Sequence, residues 1–356
     1  MTESTSQFVG TMAVAERQRF DLAALEAYLC VHIVDFKGPL RVEQFRGGQS
    51  NPTFKLVGAN RSYVMRSKPG PAVKLMPSAH AVEREYKVLH ALGKTDIPVP
   101  QVFCLCEDET VIGRAFYVME NVEGRVLWEQ SLPGFSHADR NAVYEQMNDV
   151  MARLHSLDYQ AIGLGDFGRP GNYFERQIGR WSKQYAVTAT EKIDSMDRLI
   201  EWLPRHIPTG EETSIVHGDY RLDNMIFDND KPVIKAVLDW ELSTLGHPLA
   251  DFSYHCMGYH IDPGKFRGIK GIDCASLGIP TEQQYIAQYC RRTGRDRIEN
   301  WEFYLAYNMF RLAAILQGIM KRFVDGTAAN AQAEDNGRRA RLLADEGWAM
   351  AQRVAG

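Results

Sequence analysis

Cysteine is scarce and poorly placed for chemistry. Six occur in 356 residues, and the closest two, Cys104 and Cys106, do not form the CxxC spacing of a zinc or dithiol site. They read as reduced core thiols of a cytoplasmic protein. A basic excess is also missing, since 41 Lys and Arg stand against 45 Asp and Glu, for a formal net charge of -4. Recognition of a phosphate backbone needs clustered positive charge, so nucleic acid is not an expected partner. The first twenty residues lack a basic segment followed by an uninterrupted apolar core, so 1–20 reads as a loosely ordered tail and not as a secretory signal. The longest apolar stretch, Phe303 to Met320, is broken by Asn308, Arg311 and Gln317. Such groups are costly in lipid and natural on a buried helix of a globular chain, so no membrane partner is expected. The loop Arg46 to Asn51 between the first two strands lacks both the GxGxxG and the Walker GK[ST] patterns, and the chain shows no internal repeat or low-complexity tract.

What is present is enough apolar residue, 45%, for two lobes around a cleft. Asp21 can cap a helix carrying Leu22, Leu25 and Leu29. Short β-forming segments follow at Leu40 to Phe45, Phe54 to Val57 and Ser62 to Arg66, separated by Gly, Asn and Pro clusters. A helical stripe, Val82, Tyr86, Leu89 and Leu92, lies in Ala79 to Leu92, and two more strands are expected at Val102 to Cys106 and Ala115 to Glu120. The order β-β-β-α-β-β fits one lobe, residues 21–121. From Asn121 a linker leads into a mainly helical second lobe, 122–356. Helices are expected there at Tyr173 to Ala186, Glu191 to His206, Glu282 to Thr293, Glu299 to Phe323 and Ala331 to Arg353. Another follows the cap pattern of Ser136 and Asp139. Short strands are expected at Ser214 to Val216, Met225 to Phe227 and Val233 to Asp239. The fold class is α+β and bilobal.

The densest chemical signal is IVHGDYRLDNMIF followed by AVLDW. Phosphoryl transfer asks a protein mainly for a positioned hydroxyl, Mg²⁺ on the phosphates and cations against developing charge. Asp219 can accept the hydrogen bond of a substrate hydroxyl as catalytic base. Asn224 and Asp239 offer hard oxygen donors for Mg²⁺. Arg221 is placed two residues beyond the base, where a fixed cation can reach the transferring phosphoryl group. In Arg46-Gly47-Gly48-Gln49-Ser50-Asn51, Gly47 and Gly48 allow close backbone approach and Ser50 and Asn51 offer donors to a β- or γ-phosphate, although a plain hairpin turn is an alternative.

The motifs GGQSN, YVMRSKPG, SAHAVEREYKVLHAL, IPVPQV, FYVME, HGDYRLDN and LDWELSTLGHPLADFSY run in order from Gly47 to Tyr254. Through them the chain resembles the aminoglycoside phosphotransferase and choline kinase family, which has a protein-kinase-like fold. Within it, the chain is similar to the kinase-like domain attached to, or encoded beside, certain acyl-CoA dehydrogenases. The resemblance implies ATP and Mg²⁺ as cofactors. It implies that Glu85 pairs with the strand cation, here Arg66 where most kinases have Lys, and that the backbones of Glu120 and Val122 hydrogen-bond adenine. It also implies that Asp251 supports the catalytic loop. The implied acceptor is a small-molecule hydroxyl, with a hydroxyacyl-CoA thioester favoured and an acyl-CoA dehydrogenase as pathway partner. Arg176, Arg180 and Lys183, at helical spacing, would help hold an anionic substrate if they are not simply a solvated face. Two alternatives stay open at this level: a catalytically weak kinase-like module that binds acyl-CoA for a dehydrogenase, or an aminoglycoside- or choline-type kinase.

Overall fold

The structure is a computed structural model that describes residues 10–46, 51–70, 81–264, 267–327 and 332–354. Its first half is a six-stranded antiparallel sheet in the order β1-β2-β3-β4-β6-β5. The strands are β1 (Thr11–Met12), β2 (Arg41–Phe45), β3 (Thr53–Val57), β4 (Ser62–Ser67), β5 (Val102–Cys106) and β6 (Phe116–Glu120). Helix α1 (Leu22–His32) covers one face and α2 (Val82–Leu92) the other. The Asp21 carboxylate caps α1 by accepting the Ala23 and Ala24 amides at 2.9 and 3.0 Å, the bonds that its N-cap position calls for.

Alternation along the strands sorts the two faces. Phe54, Leu56, Tyr63, Met65, Phe116 and Val118 join Leu25 and Leu29 of α1 in one core. Val64, Tyr117 and Met119 point the other way, and together with Val88 and Leu89 of α2 they join the core of the helical half. The sheet is thus sandwiched, and its second face forms the roof of a cleft.

Part of the expected tail is ordered. Residues 10–20 add β1 to the sheet edge, and the buried Arg114 guanidinium donates to the Gln18 side chain at 2.7 Å. Phe20 packs edge-on against Phe54 with ring centroids 5.3 Å apart. An aromatic ring and an acceptor for a buried cation give these residues reasons to settle.

The chain crosses into the helical half after Glu120, and β7 (Arg125–Val126) already pairs there with β9 (Met225–Phe227). Around it lie α3 (His137–Ser156), α4 (Tyr173–Thr188) and α5 (Asp194–Trp202). Short β8 (Ser214–Val216) pairs with β11 (Thr244–Gly246), while β9 pairs with β10 (Ile234–Val237). Then come α6 (Pro248–Cys256), α7 (Cys274–Leu277), α8 (Glu282–Thr293), α9 (Trp301–Val324), α10 (Ala333–Arg338) and α11 (Ala340–Val354). The stretch expected as one helix from Ala331 to Arg353 is two. The break falls at Arg339, two residues beyond Gly337, where a Cβ would stand 2.6 Å from the Met320 Cβ of α9. Likewise α5 gives way at Pro204 to a tighter turn, because proline has no amide to continue the helix.

Helix α9 runs through the middle of the helical half, and its three polar interruptions all find partners. Asn308 Nδ2 donates to the Ala250 carbonyl at 2.9 Å, Arg311 donates to the Gly218 carbonyl at 2.9 Å, and Gln317 Oε1 accepts the Thr190 amide at 3.0 Å. These bonds explain how polar residues sit in an otherwise apolar buried helix. Among the described residues, no helix is long and apolar enough to cross a membrane.

On α6, His255 is wedged between Tyr220 and Tyr285. Its Nδ1–H donates to the Tyr220 carbonyl at 3.3 Å, and its Nε2 accepts the Tyr285 hydroxyl at 2.8 Å. Burial lowers it from the ordinary histidine value to about 4. Below pH 6.5 the unfolded chain binds a proton that the folded chain refuses. The associated stability is therefore full above pH 6.5 and is lost as pH falls toward 4, by on the order of 2 kcal/mol. Denaturant titrations at pH 7.5, 6, 5 and 4.5 should show that wild-type stability falls more steeply than that of His255→Gln. Parallel curves would mean that this ring does not drive the acid limb.

Candidate active site

The loop after β8 carries His217, Gly218 and Asp219, and it is pinned from below. Asp251, on the first turn of α6, accepts the His217 amide at 2.6 Å and the Gly218 amide at 2.9 Å. It also accepts His155 Nε2–H at 3.3 Å, while His155 Nδ1 accepts the Tyr289 hydroxyl at 2.8 Å. Burial works against the charge of Asp251, yet the His155 hydrogen bond, the neighbouring histidines and the His217 amide hold its carboxyl below the usual range. Helix α6 itself was not expected from the sequence, although Pro248 at its first position and His247 accepting the Leu249 amide at 3.2 Å are ordinary start signals.

His217 ties the loop sideways. Its Nε2–H donates to the Leu238 carbonyl at 2.8 Å and its Nδ1 accepts the Asp219 amide at 3.2 Å. Leu238 immediately precedes Asp239, so one imidazole sets the distance between two acidic residues that the sequence places twenty positions apart. Asp239 adopts the left-handed conformation, φ 65°, which is uncommon outside glycine and turns its carboxylate into the cleft. Asn224 Nδ2 donates to the Asp219 backbone carbonyl at 2.9 Å and to Asp219 Oδ2 at 3.1 Å, which leaves its amide oxygen as the acceptor. Arg221 Nε lies 3.0 Å from Asp219 Oδ1.

From the sheet comes Arg66 on β4. Its Nη1 is 2.9 Å from the Glu85 carboxylate of α2 and 3.1 Å from Asp239, and its Nη2 is 3.5 Å from Glu241. The pairing of Arg66 with Glu85 is the one expected from the resemblance; its reach to Asp239 and Glu241 is additional. A planar fork can serve several carboxylates at once in a way that an ammonium cannot. Burial raises the Glu85 carboxyl to about 7, with Arg66 pulling the other way.

These groups line a cleft of about 660 Å³ between sheet and helical half. Val64, Met119, Ile226 and Val237 form apolar walls on opposite sides, and Glu120 and Val122 lie along its edge. The Glu120 amide is already committed to the Gln101 carbonyl at 2.7 Å, so that residue has its carbonyl to offer a purine. The arrangement suits a flat heterocycle with phosphates running toward Arg66 and Asp239. Asn224 and Asp239 together provide two hard oxygens. Among the described residues no cluster of three or more His, Cys, Asp or Glu could hold a metal. Two hard oxygens fit an ion such as Mg²⁺, which takes one or two protein oxygens and completes its shell with phosphate and water.

Arg66, Glu85, Glu120, Val122, Asn224 and Asp239 line this one cleft, and Asp219 is joined to it through Asn224 and in turn contacts Arg221, which lines the neighbouring surface. Asn51 is buried, and its carbonyl accepts the Thr53 hydroxyl at 3.2 Å. Gly47, Gly48 and Ser50 lie outside the described residues. Of the three cations on α4, Arg176 is spent on the Arg169 and Gly171 carbonyls, and Arg180 lies over the Trp181 ring at 5.2 Å. Tyr254, Glu241 and Arg311 were missed. Arg311 had a signal, because a charge inside the longest apolar stretch must have a buried partner.

A sheet roofing a helical half, with acids from two loops facing a buried Arg–Glu pair, defines a bilobal protein-kinase-like enzyme that uses ATP to phosphorylate a hydroxyl group. The chain belongs to the phosphotransferase enzyme family, whose model matches residues 41–300. It is 46% identical over 317 residues to acyl-CoA dehydrogenase family member 10 of Mus musculus, an alignment covering 88% of this chain and 29% of that protein. The chain spans less than half the length of the curated relatives it matches. A crystal structure of a protein from Ralstonia eutropha, provisionally named an aminoglycoside phosphotransferase, is 60% identical, with a TM-score of 0.88 over 94% of this chain and 99% of that one. A thermostable mutant of aminoglycoside phosphotransferase APH(4)-Ia, solved with ADP and hygromycin B, shares the fold at 17% identity and a TM-score of 0.59, covering 94% and 99%.

Gly218 has a φ of 83°, and a Cβ there would stand 2.8 Å from the Leu242 carbonyl oxygen. Both the conformation and the space require glycine. Gly218→Ala should lower unfolding free energy by about 1–3 kcal/mol in denaturant titration, since strain of this kind costs about that much.

Proposed function

We propose that this enzyme transfers the γ-phosphoryl group of Mg²⁺·ATP to the hydroxyl of a hydroxyacyl-CoA. The coarser part, a small-molecule kinase, follows from family and fold. The observation that carries the finer part is the surface beyond Asp219. There Trp128, Met257 and Ile261 give apolar contact beside Arg221 and Arg267, a pairing of oily and cationic groups suited to an anionic substrate with an acyl chain. Arg267 and Arg221 share Asp223, at 2.6 and 3.6 Å, so they are held as a fixed pair. A polycationic aminoglycoside would meet like charge there. The relatives named as acyl-CoA dehydrogenases point to the same class of substrate and to a dehydrogenase as pathway partner.

In this reading residues 21–121 grip the nucleotide, with the Glu120 carbonyl and the Val122 amide on adenine and Arg66, steadied by Glu85, on the α- and β-phosphates. Gly47, Gly48, Ser50 and Asn51 are assigned to the outer phosphates. Residues 122–356 supply the chemistry. Asn224 and Asp239 hold Mg²⁺, which when bound neutralises phosphate charge. Asp219 accepts the proton side of the acceptor hydroxyl and aims its oxygen lone pair at the γ-phosphorus. Arg221 compensates charge on the moving phosphoryl group. Arg66 would bind phosphate and Asp239 would bind the ion, so their present contact at 3.1 Å is one that nucleotide would compete with.

The test is a panel of hydroxyacyl-CoAs, choline and aminoglycosides with Mg²⁺·ATP, followed by ADP release and mass of the product. Phosphorylated hydroxyacyl-CoA is expected, and Asp219→Asn should lower its formation by about two or more orders of magnitude with ATP affinity retained. Turnover of choline or aminoglycosides alone would overturn the acyl-CoA assignment. Mg²⁺-dependent binding of ATP and acyl-CoA with no product would favour a binding module.

A further inference from the structure

The Asp219 carboxylate is held by more than its own loop. Oδ1 accepts the Tyr254 hydroxyl at 2.5 Å, and Oδ2 accepts Asn224 Nδ2 at 3.1 Å. Tyr254 lies three residues after Asp251 on α6, so the two side chains share a helix face. One therefore holds the loop backbone at His217 and Gly218, and the other holds the side chain that the loop presents. Burial, and then the charge of Asp219, push the Tyr254 phenol above its ordinary value, so it remains a donor.

Behind Tyr254 stands Arg311. This buried guanidinium donates to the Gly218 carbonyl, lies 5.3 Å from the Tyr254 ring centroid and 5.9 Å from that of Trp181. An arginine between two aromatic faces is a stiff support, because ring quadrupoles and the carbonyl together take the place of water. It packs over the Tyr254 ring and holds the loop backbone at Gly218 at the same time.

A carboxylate oxygen has two lone-pair sites, and an acceptor hydroxyl needs one of them in a set direction. With Tyr254 on Oδ1 and Asn224 on Oδ2, rotation of the carboxylate is stopped and one site on Oδ2 is left over. We infer that Tyr254, braced by Arg311, is a positioning residue for phosphoryl transfer: it locks the Asp219 carboxylate so that Oδ2 faces the incoming hydroxyl. This rests on the role given above to Asp219, but not on the identity of the acceptor.

The experiment uses ATP hydrolysis, in which water takes the place of the acceptor, measured for the full chain, Tyr254→Phe, Asp219→Asn and the double variant. Tyr254→Phe keeps the ring on Arg311 and removes only the hydroxyl, so its melting temperature should match wild type. Its kcat should fall about tenfold or more, with KM for ATP within about twofold, the loss expected for a charge-assisted hydrogen bond. The double variant should be no slower than Asp219→Asn, because the hydroxyl acts only through that carboxylate. An unchanged kcat in Tyr254→Phe, or losses that multiply in the double variant, would overturn the inference while leaving the kinase reading intact. If Asp219→Asn hydrolyses ATP as fast as wild type, or wild type neither hydrolyses ATP nor phosphorylates an acceptor, the assigned role of Asp219 fails and the inference fails with it.

Discussion

A charge removed from water must be compensated in place, and the buried Asp251 carboxylate is where this chain meets that demand. Two backbone amides and one imidazole supply the compensation. Because the amides belong to His217 and Gly218, meeting the electrostatic requirement also fixes the path of the loop. Because His217 then reaches Leu238, the same requirement fixes the distance to Asp239. Geometry at the cleft is thus a by-product of neutralising one deeply buried group.

The second constraint is a surplus of acid. Glu85, Asp239 and Glu241 surround a single Arg66, and burial has already driven Glu85 toward the neutral range. Arginine is well suited to this environment, since it stays charged and its fork divides among several oxygens. Three carboxylates around one guanidinium leave the site short of positive charge, which is a sound basis for attracting a positive ion alongside a nucleotide.

Much of this was legible in the sequence because the signals were local. Strand alternation from Phe54 to Met65 and the helical stripe of α2 depend on neighbours a few residues away, and HGD with Asn224 and Asp239 keeps its order and spacing along the chain. What escaped depends on contacts across the fold. Tyr254 sits inside a conspicuous motif, but nothing in that string says its hydroxyl meets Asp219. Arg311 stood out as a charge in an apolar helix, yet its target, the Gly218 carbonyl, lies 93 residues away. The break at Arg339 interrupts a stretch that is helical on both sides, and residues 10–20 offer the buried Arg114 an acceptor in Gln18, a contact nearly a hundred residues away in sequence.

The position of Arg311 late in the chain also bears on how the enzyme comes into being. Synthesis proceeds from the N-terminus, and domains fold as their parts emerge. The sheet, Asp219, Asn224, Asp239 and Asp251 all precede α9, so a growing polypeptide acquires the reacting groups well before it acquires the guanidinium that braces Tyr254 and Gly218. Until α9 packs, the ring of Tyr254 lacks its backing and the Gly218 carbonyl lacks its donor. Assembly order thus places the tightening of the reactive loop after the reacting groups themselves have emerged.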